Sequence, residues 1–207
     1  MTLVGVLDHA AVIVFAMTGA LVASRAQLDI VGFAFLAVLT GVGGGTLRDL
    51  LLDRTIFWIE TPSFLGLCVA AAIVVFFTAH LLESRVQALY WLDAAALASA
   101  VAAGVGVAMA AGMRWPIVLV MGMATGTFGG LMRDVVANEV PLVLKQGEIY
   151  ATATLAGAGA AVIAAALIPQ GVALALGAAV VFGLRAGSIA LDWRLPVYRA
   201  QAPRNPL

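Results

Sequence analysis

Charge is scarce in this chain. Of its 207 residues only 11 are basic and 11 acidic, so 11% are charged while 63% are hydrophobic. A water-soluble domain needs about a quarter of its residues charged; that class is excluded, and an integral membrane protein remains. The two signs balance to a formal net charge of zero, and no basic tract calls for a nucleic-acid partner. A single cysteine, Cys68, has no partner for an intrachain disulfide and lies in an apolar run, where it packs as a small hydrophobe. The two histidines, His9 and His80, have no companion at ligand spacing, so no metal site is expected. Nucleophile–base arrangements and cofactor motifs are missing. The glycine-rich run at 41–45 lacks the lysine and the preceding strand of a phosphate loop. Neither an enzyme nor a cofactor protein is indicated. No linker or low-complexity block interrupts the chain, and 1–207 reads as one membrane domain.

What the chain has is long apolar runs. A membrane-spanning helix needs about 20 mostly apolar residues, and seven segments fit: 3–23, 30–52, 63–82, 89–110, 115–137, 149–168 and 172–190. The first lacks a basic leader, is interrupted by Asp8 and has no cleavage site, so it reads as a span and not a signal peptide. Short connections hold most of the charges. Trp58, Trp91, Trp115 and Trp193 fall at span ends, as interfacial anchors do. Seven spans place the termini on opposite sides. One side collects Arg25, Arg85, Lys145, Arg194, Arg199 and Arg204; the other has Arg54 and Arg114, with Arg48 near its edge. The positive-inside rule then puts the N-terminus outside and the tail, 192–207, in the cytoplasm. Arg185 interrupts the seventh span and is expected to snorkel to the cytoplasmic side.

A shift of 85 residues lays the sequence on itself. "GVGGGTLRD" at 41–49 falls on "GTFGGLMRD" at 126–134, so Gly41, Gly44, Gly45, Arg48 and Asp49 match Gly126, Gly129, Gly130, Arg133 and Asp134. The same shift carries Leu7 and Asp8 onto Leu92 and Asp93, Gly19 onto Gly104, and Thr40 onto Thr125. Two separated motifs at one offset mark an internal repeat. Repeat one covers 3–87 and repeat two 88–171, with a seventh helix at 172–191. Each repeat holds three spans, an odd number, so the second enters the membrane inverted, an architecture of transporters and some channels.

The doubled motif combines glycine with charge. Gly41 and Gly45 are four apart, as are Gly126 and Gly130, which fits a face for close helix packing. Gly43 and the charges call for more. Four glycines in the five positions 41–45 cost roughly 4 kcal/mol in helix propensity against alanine. A break in spans two and five is therefore expected, with freed carbonyls lining a wet path. Phe128 replaces one glycine in the second copy, so span five should be less unwound, or gated by that ring. Arg48 and Asp49, like Arg133 and Asp134, are neighbours whose side chains leave a helix about 100° apart. Each pair is expected not to close on itself, and each charge to find a partner elsewhere, with the two copies approaching each other. Intramembrane charges mark cavities and ion paths; Asp8 and Asp93 are placed at the two mouths or as partners of the arginines.

These residues resemble the prokaryotic branch of the trimeric intracellular cation (TRIC) channel family, whose bacterial relatives are also filed under a glycine-transporter heading. The resemblance rests on both copies of the motif, on "LDHAAVIVFAMTGALVASRAQLDIVG" at 7–32, on "EIYATATLAGAG" at 148–159 and on "FGLRAGSIALDWRLP" at 182–196. It implies a homotrimer in membrane lipid, seven helices, one pore per protomer, and a permeant monovalent cation, chiefly potassium. It also implies that spans two and five kink at 41–45 and 126–130 to form an hourglass path. A secondary transporter of glycine or another small solute is the alternative, because inverted repeats serve alternating access equally well.

Overall fold

A computed structural model describes residues 3–82 and 84–198. Glu83, Arg199, Arg204 and the rest of the tail beyond 198 lie outside the described residues. The described residues form eight α-helices: α1 (Leu3–Arg25), α2 (Ile30–Leu51), the short α3 (Phe57–Glu60), α4 (Ser63–Thr78), α5 (Arg85–Ala110), α6 (Trp115–Val136), α7 (Ala151–Ala165) and α8 (Gln170–Leu191). No strand occurs among them.

Helix ends follow local chemistry. Asp29 caps α2 by accepting the Gly32 N–H at 2.8 Å, and Ser84 caps α5 through the Gln87 N–H at 3.2 Å. The second cap starts that helix at Arg85, four residues before the expected 89. Left-handed residues follow five helices: Gln27 after α1, Asp53 after α2, Gly112 after α5, Asn138 after α6 and Asp192 after α8. Such a conformation ends a helix by turning the next N–H back toward its last carbonyls.

Six helical segments are long and apolar enough to cross a membrane: α1, α2, the run Ser63–Leu81 begun by α4, α5, α6 and α8. The protein is an integral, multi-pass, all-helical membrane protein. The segment expected at 149–168 forms α7, with 15 residues. At 1.5 Å per residue it spans about 22 Å, short of the roughly 30 Å hydrocarbon core.

Packing has a regular plan. Helices α1, α2 and α4 pack together, as do α5, α6 and α7; α1 lies on α5, and α2 on α6. Helix α8 packs against α5 and α7. The interior is built from small residues, with Ala16, Ala20, Ala23, Ala37, Ala103 and Ala108 fully enclosed. That composition lets helices approach where no water drives them together.

The expected breaks are absent. Both α2 and α6 run as continuous α-helix through 41–45 and 126–130, so the glycines do not unwind the chain there. At membrane depth each broken backbone hydrogen bond costs several kcal/mol, which outweighs the propensity lost to glycine. Close approach is what the glycines provide. A Cβ on Gly44 would run into the Thr125 carbonyl oxygen, and a Cβ on Gly129 into the Thr40 carbonyl oxygen. Helices α2 and α6 thus cross backbone to backbone, through partners that match at the 85-residue offset. Gly19 and Gly104 do the same for α1 on α2 and α5 on α6: Cβ atoms there would lie 2.6 Å from the Thr40 and Thr125 hydroxyls. Those hydroxyls donate to the carbonyls of Leu36 and Met121, both at 2.6 Å.

Candidate functional site

Immediately beyond the crossing, each helix carries its arginine inward. Arg48 is buried at the end of α2. Its Nη1 donates to Asp8 Oδ1 of α1 at 2.8 Å, and its Nε and Nη2 donate to both carboxylate oxygens of Asp49, at 2.8 and 3.3 Å. Arg133 is fully buried on α6. Its Nη1 donates to Asp93 Oδ1 of α5 at 3.1 Å and to Thr18 Oγ1 of α1 at 2.8 Å, and its Nε to Asp134 Oδ1 at 2.7 Å.

Two expectations need correction. Each arginine does pair with the aspartate beside it. Side chains that leave the helix in different directions converge because the guanidinium is long and forked. A second contact holds each carboxylate in place: Asp49 Oδ2 accepts the Phe57 N–H at 3.0 Å, and Asp134 Oδ2 accepts the Leu142 N–H at 2.9 Å. Nor do the two copies of the charge pair meet each other. Each arginine takes its second acid from its own half of the chain, Asp8 for Arg48 and Asp93 for Arg133.

The remaining expected residues make packing contacts of their own. A Cβ at Gly41 would meet Cys68 Sγ at 2.8 Å, one at Gly45 the Phe57 ring at 2.5 Å, and one at Gly43 Met132 Sδ at 3.3 Å. A Cβ at Gly126 would meet Val101 at 2.6 Å. Phe128 lines an apolar groove of about 420 Å³ with Phe35, Trp58 and Met132. Its ring is therefore directed to that groove. At the crossing, on the side of the Arg48 cluster, lies a cavity of about 10 Å³, room for about one water, lined by Asp8, Gly41, Gly44, Phe57 and Thr125 among others.

Arg185 also departs from expectation. It is fully enclosed, donates from Nη1 to Glu148 Oε2 at 2.8 Å, and stacks over the Tyr150 ring at 4.9 Å. Snorkelling is unnecessary where an acid lies within reach.

Sequence reasoning missed Thr18, Phe57, Glu148 and Tyr150 as members of these clusters. Thr18 has no polar counterpart, since Ala103 stands 85 residues later. Glu148, just before the sixth apolar run, and Arg185, inside the seventh, could have been matched as opposite charges on consecutive runs.

The family described as Glycine transporter matches this chain twice, over residues 5–80 and 90–166. This chain belongs to the glycine transporter family. Its two matched segments begin 85 residues apart, the offset of the doubled motif. Among relatives, the UPF0126 inner membrane protein YadS of Escherichia coli is 36% identical over 199 residues, covering 93% of this chain and 94% of its own. A UPF0126 membrane protein of Deinococcus radiodurans is 36% identical over 195 residues, covering 93% and 91%. Among solved structures, the TRIC trimeric intracellular cation channel orthologue from Rhodobacter sphaeroides matches with a TM-score of 0.89 and 43% identity, over 93% of this chain and all of that one. A prokaryotic TRIC channel crystallised in 0.5 M KCl matches with a TM-score of 0.87 and 29% identity, over 91% and 96%.

Proposed function

We propose that this glycine transporter family member is a monovalent cation channel, permeable to potassium, that works as a homotrimer with one conduction path in each protomer. The observation that carries the reading is the 43% identity and TM-score of 0.89 to a trimeric intracellular cation channel, sustained over 93% of the chain. The path runs along the crossing of α2 and α6, between the Asp8–Arg48 and Asp93–Arg133 clusters. In this conformation its narrow part is the cavity with room for about one water. Conduction therefore requires the helices to part there.

The architecture is a pair of inverted repeats, α1, α2 and α4 against α5, α6 and α7, with α8 as the seventh span. The doubled family match and the paired contacts at one offset support it. Helix α7 is short because a thinned or locally adjusted bilayer accommodates it. The N-terminus faces out and the tail lies in the cytoplasm, following the bias of arginine and lysine. Two buried or half-buried acids around each arginine, Asp8 and Asp49 for Arg48 and Asp93 and Asp134 for Arg133, keep a cation from meeting bare positive charge.

The family description favours a second reading, carriage of glycine. Recording single channels from purified protein in a planar bilayer under a KCl gradient separates the two. Discrete openings that reverse near the potassium equilibrium potential support the channel. Glycine counterflow in vesicles without unitary currents overturns it.

A further inference from the structure

The two arginine clusters are alike in their aspartates but differ in what stands behind them. Among the described residues, four buried side-chain atoms have no hydrogen-bond partner: Asp93 Oδ2, Arg133 Nη2, Arg185 Nε and Arg185 Nη2. All four belong to one end of the molecule. A Cβ on Gly130 would lie 3.3 Å from Tyr150 Oη, 3.5 Å from Asp93 Oδ1 and 3.6 Å from Arg133 Nη2, so these groups converge on one small space. Arg185 stacks on the ring of the same tyrosine, with its guanidinium carbon 4.9 Å from the ring centroid. One tyrosine thus takes part in the surroundings of two buried guanidiniums, its hydroxyl toward the Arg133 space and its ring under Arg185.

The Arg48 end has no such layer. Ser63 and Leu65 stand where the offset would place counterparts of Glu148 and Tyr150. Helix α8, which supplies Arg185, follows both matched segments of the family. The added pair is also polarised: the Arg185 side chain is fully buried, whereas that of Glu148 is 28% exposed. A buried charge acts through a low dielectric and a half-exposed one is screened by water. The pair therefore forms a fixed dipole with its positive end beside Arg133 and its negative end toward solvent.

We propose that Glu148 and Arg185 form an electrostatic tuning pair that acts on the Arg133 end alone and makes cation conduction unequal in the two directions. Tyr150 is the positioning residue: its ring carries the Arg185 guanidinium and its hydroxyl reaches the space beside Arg133. The proposal rests on the cation-channel reading. Its signature is one of sign. Arg185→Gln removes a buried positive charge and raises the unitary current carried by cations entering at the Arg133 end. Glu148→Gln removes a half-exposed negative charge and lowers it. Arg185→Lys keeps the charge and stays near the wild type.

The test is unitary current against voltage in symmetrical KCl for wild type, Arg185→Gln, Arg185→Lys and Glu148→Gln, each assembled in planar bilayers. Changes of about two-fold or more are expected for the two glutamine variants, in opposite directions and in one branch of the curve, because a unit charge at roughly 10 Å through an effective dielectric of about 20 exceeds thermal energy before screening. A pair that only braces the fold would reduce the number of assembled channels and leave the shape of the curve unchanged. Should Arg185→Gln fail to assemble, Glu148→Gln still decides, since its carboxylate already touches water. Wild-type-like curves from the glutamine variants, or shifts of the same sign from both, overturn the proposal. Absence of any wild-type cation current overturns the channel reading itself, and the proposal falls with it.

Discussion

Replacing Arg133 with alanine strips one guanidinium from three partners at once. Asp93 loses its contact at 3.1 Å, Asp134 its contact at 2.7 Å and Thr18 its contact at 2.8 Å. The two carboxylates have side-chain exposures of 0% and 3%, so neither can turn to water. Removing one partner of a buried ion pair costs about 3–5 kcal/mol, because the survivor stays buried without compensation. For a chain of this length that corresponds to a fall in melting temperature of roughly 6–20 °C, at about 2–4 °C per kcal/mol. Arg48→Ala is the internal comparison. It also strands two aspartates, but the Asp8 side chain is 17% exposed and recovers part of its hydration. Arg48→Ala should therefore cost clearly less. Thermal unfolding of purified protein in one detergent, followed by size-exclusion chromatography, measures both. Adding Asp93→Asn to Arg133→Ala removes one of the stranded charges and should recover part of the loss, as a coupled pair requires. A fall for Arg133→Ala no larger than for Arg48→Ala, or no recovery in the double variant, refutes the assignment of Arg133 as a buried compensating charge.

Gly44→Ala and Gly129→Ala each drive a methyl group into a backbone carbonyl of the facing helix; a loss of about 1–3 kcal/mol or failure to assemble is expected in the same thermal assay. Gly66→Ala, where a Cβ meets nothing within 4 Å, should instead stabilise by up to about 1 kcal/mol through helix propensity. Arg48→Lys breaks the forked contact to Asp49 and should lose function in bilayer recordings even where the protein assembles, since ammonium cannot bond both oxygens in that geometry. Accessibility of tags at the two ends should place the N-terminus outside and the tail inside; both on one side would remove the seven-span, inverted arrangement.

The helices and their order were legible because the membrane restricts the choices. Apolar runs of about 20 residues have few alternatives at that depth, and expected and observed bounds mostly coincide or differ by no more than three residues. The departures have local causes. The Ser84 cap lengthens α5 at its start, and a 3₁₀ turn at Ala79–Leu81 ends the α4 region. Phe57–Glu60 was missed as a helix because four residues show no period. The doubled motif was legible as an offset, and that offset carries over into contacts. The caps from Asp49 to Phe57 and from Asp134 to Leu142 obey it, although neither Phe57 nor Leu142 has a polar side chain to pair with a carboxylate. A backbone N–H needs none, so comparing side chains does not find it.

The glycine motif shows why propensity alone misled. Summed along one helix, four glycines argue for a break. Seen from the facing helix, each deleted Cβ is space that another backbone occupies; the four-residue glycine spacing marks such a face but does not say which backbone fills it. The sign is recoverable only where two copies are aligned, since Gly44 meets the carbonyl of Thr125 while Gly129 meets that of Thr40. The same reasoning explains the arginines. Cβ directions on a helix say where a side chain starts, and a guanidinium four bonds further out answers to whatever holds its carboxylate. Here the N–H groups of Phe57 and Leu142 hold it, one short loop beyond each helix end. The charge pairs are thus fixed by the chain that follows them. Changing the 53–57 connection, for instance by Phe57→Pro to delete that N–H, should loosen Asp49 from Arg48 without touching either residue. The expected outcome is a loss of about 1–3 kcal/mol, the cost of one uncompensated buried contact to a charged group, against no comparable loss for Phe57→Leu in the same thermal assay once the change in ring packing is subtracted. Equal losses from the two would show that the ring, and not the N–H, is what Phe57 contributes.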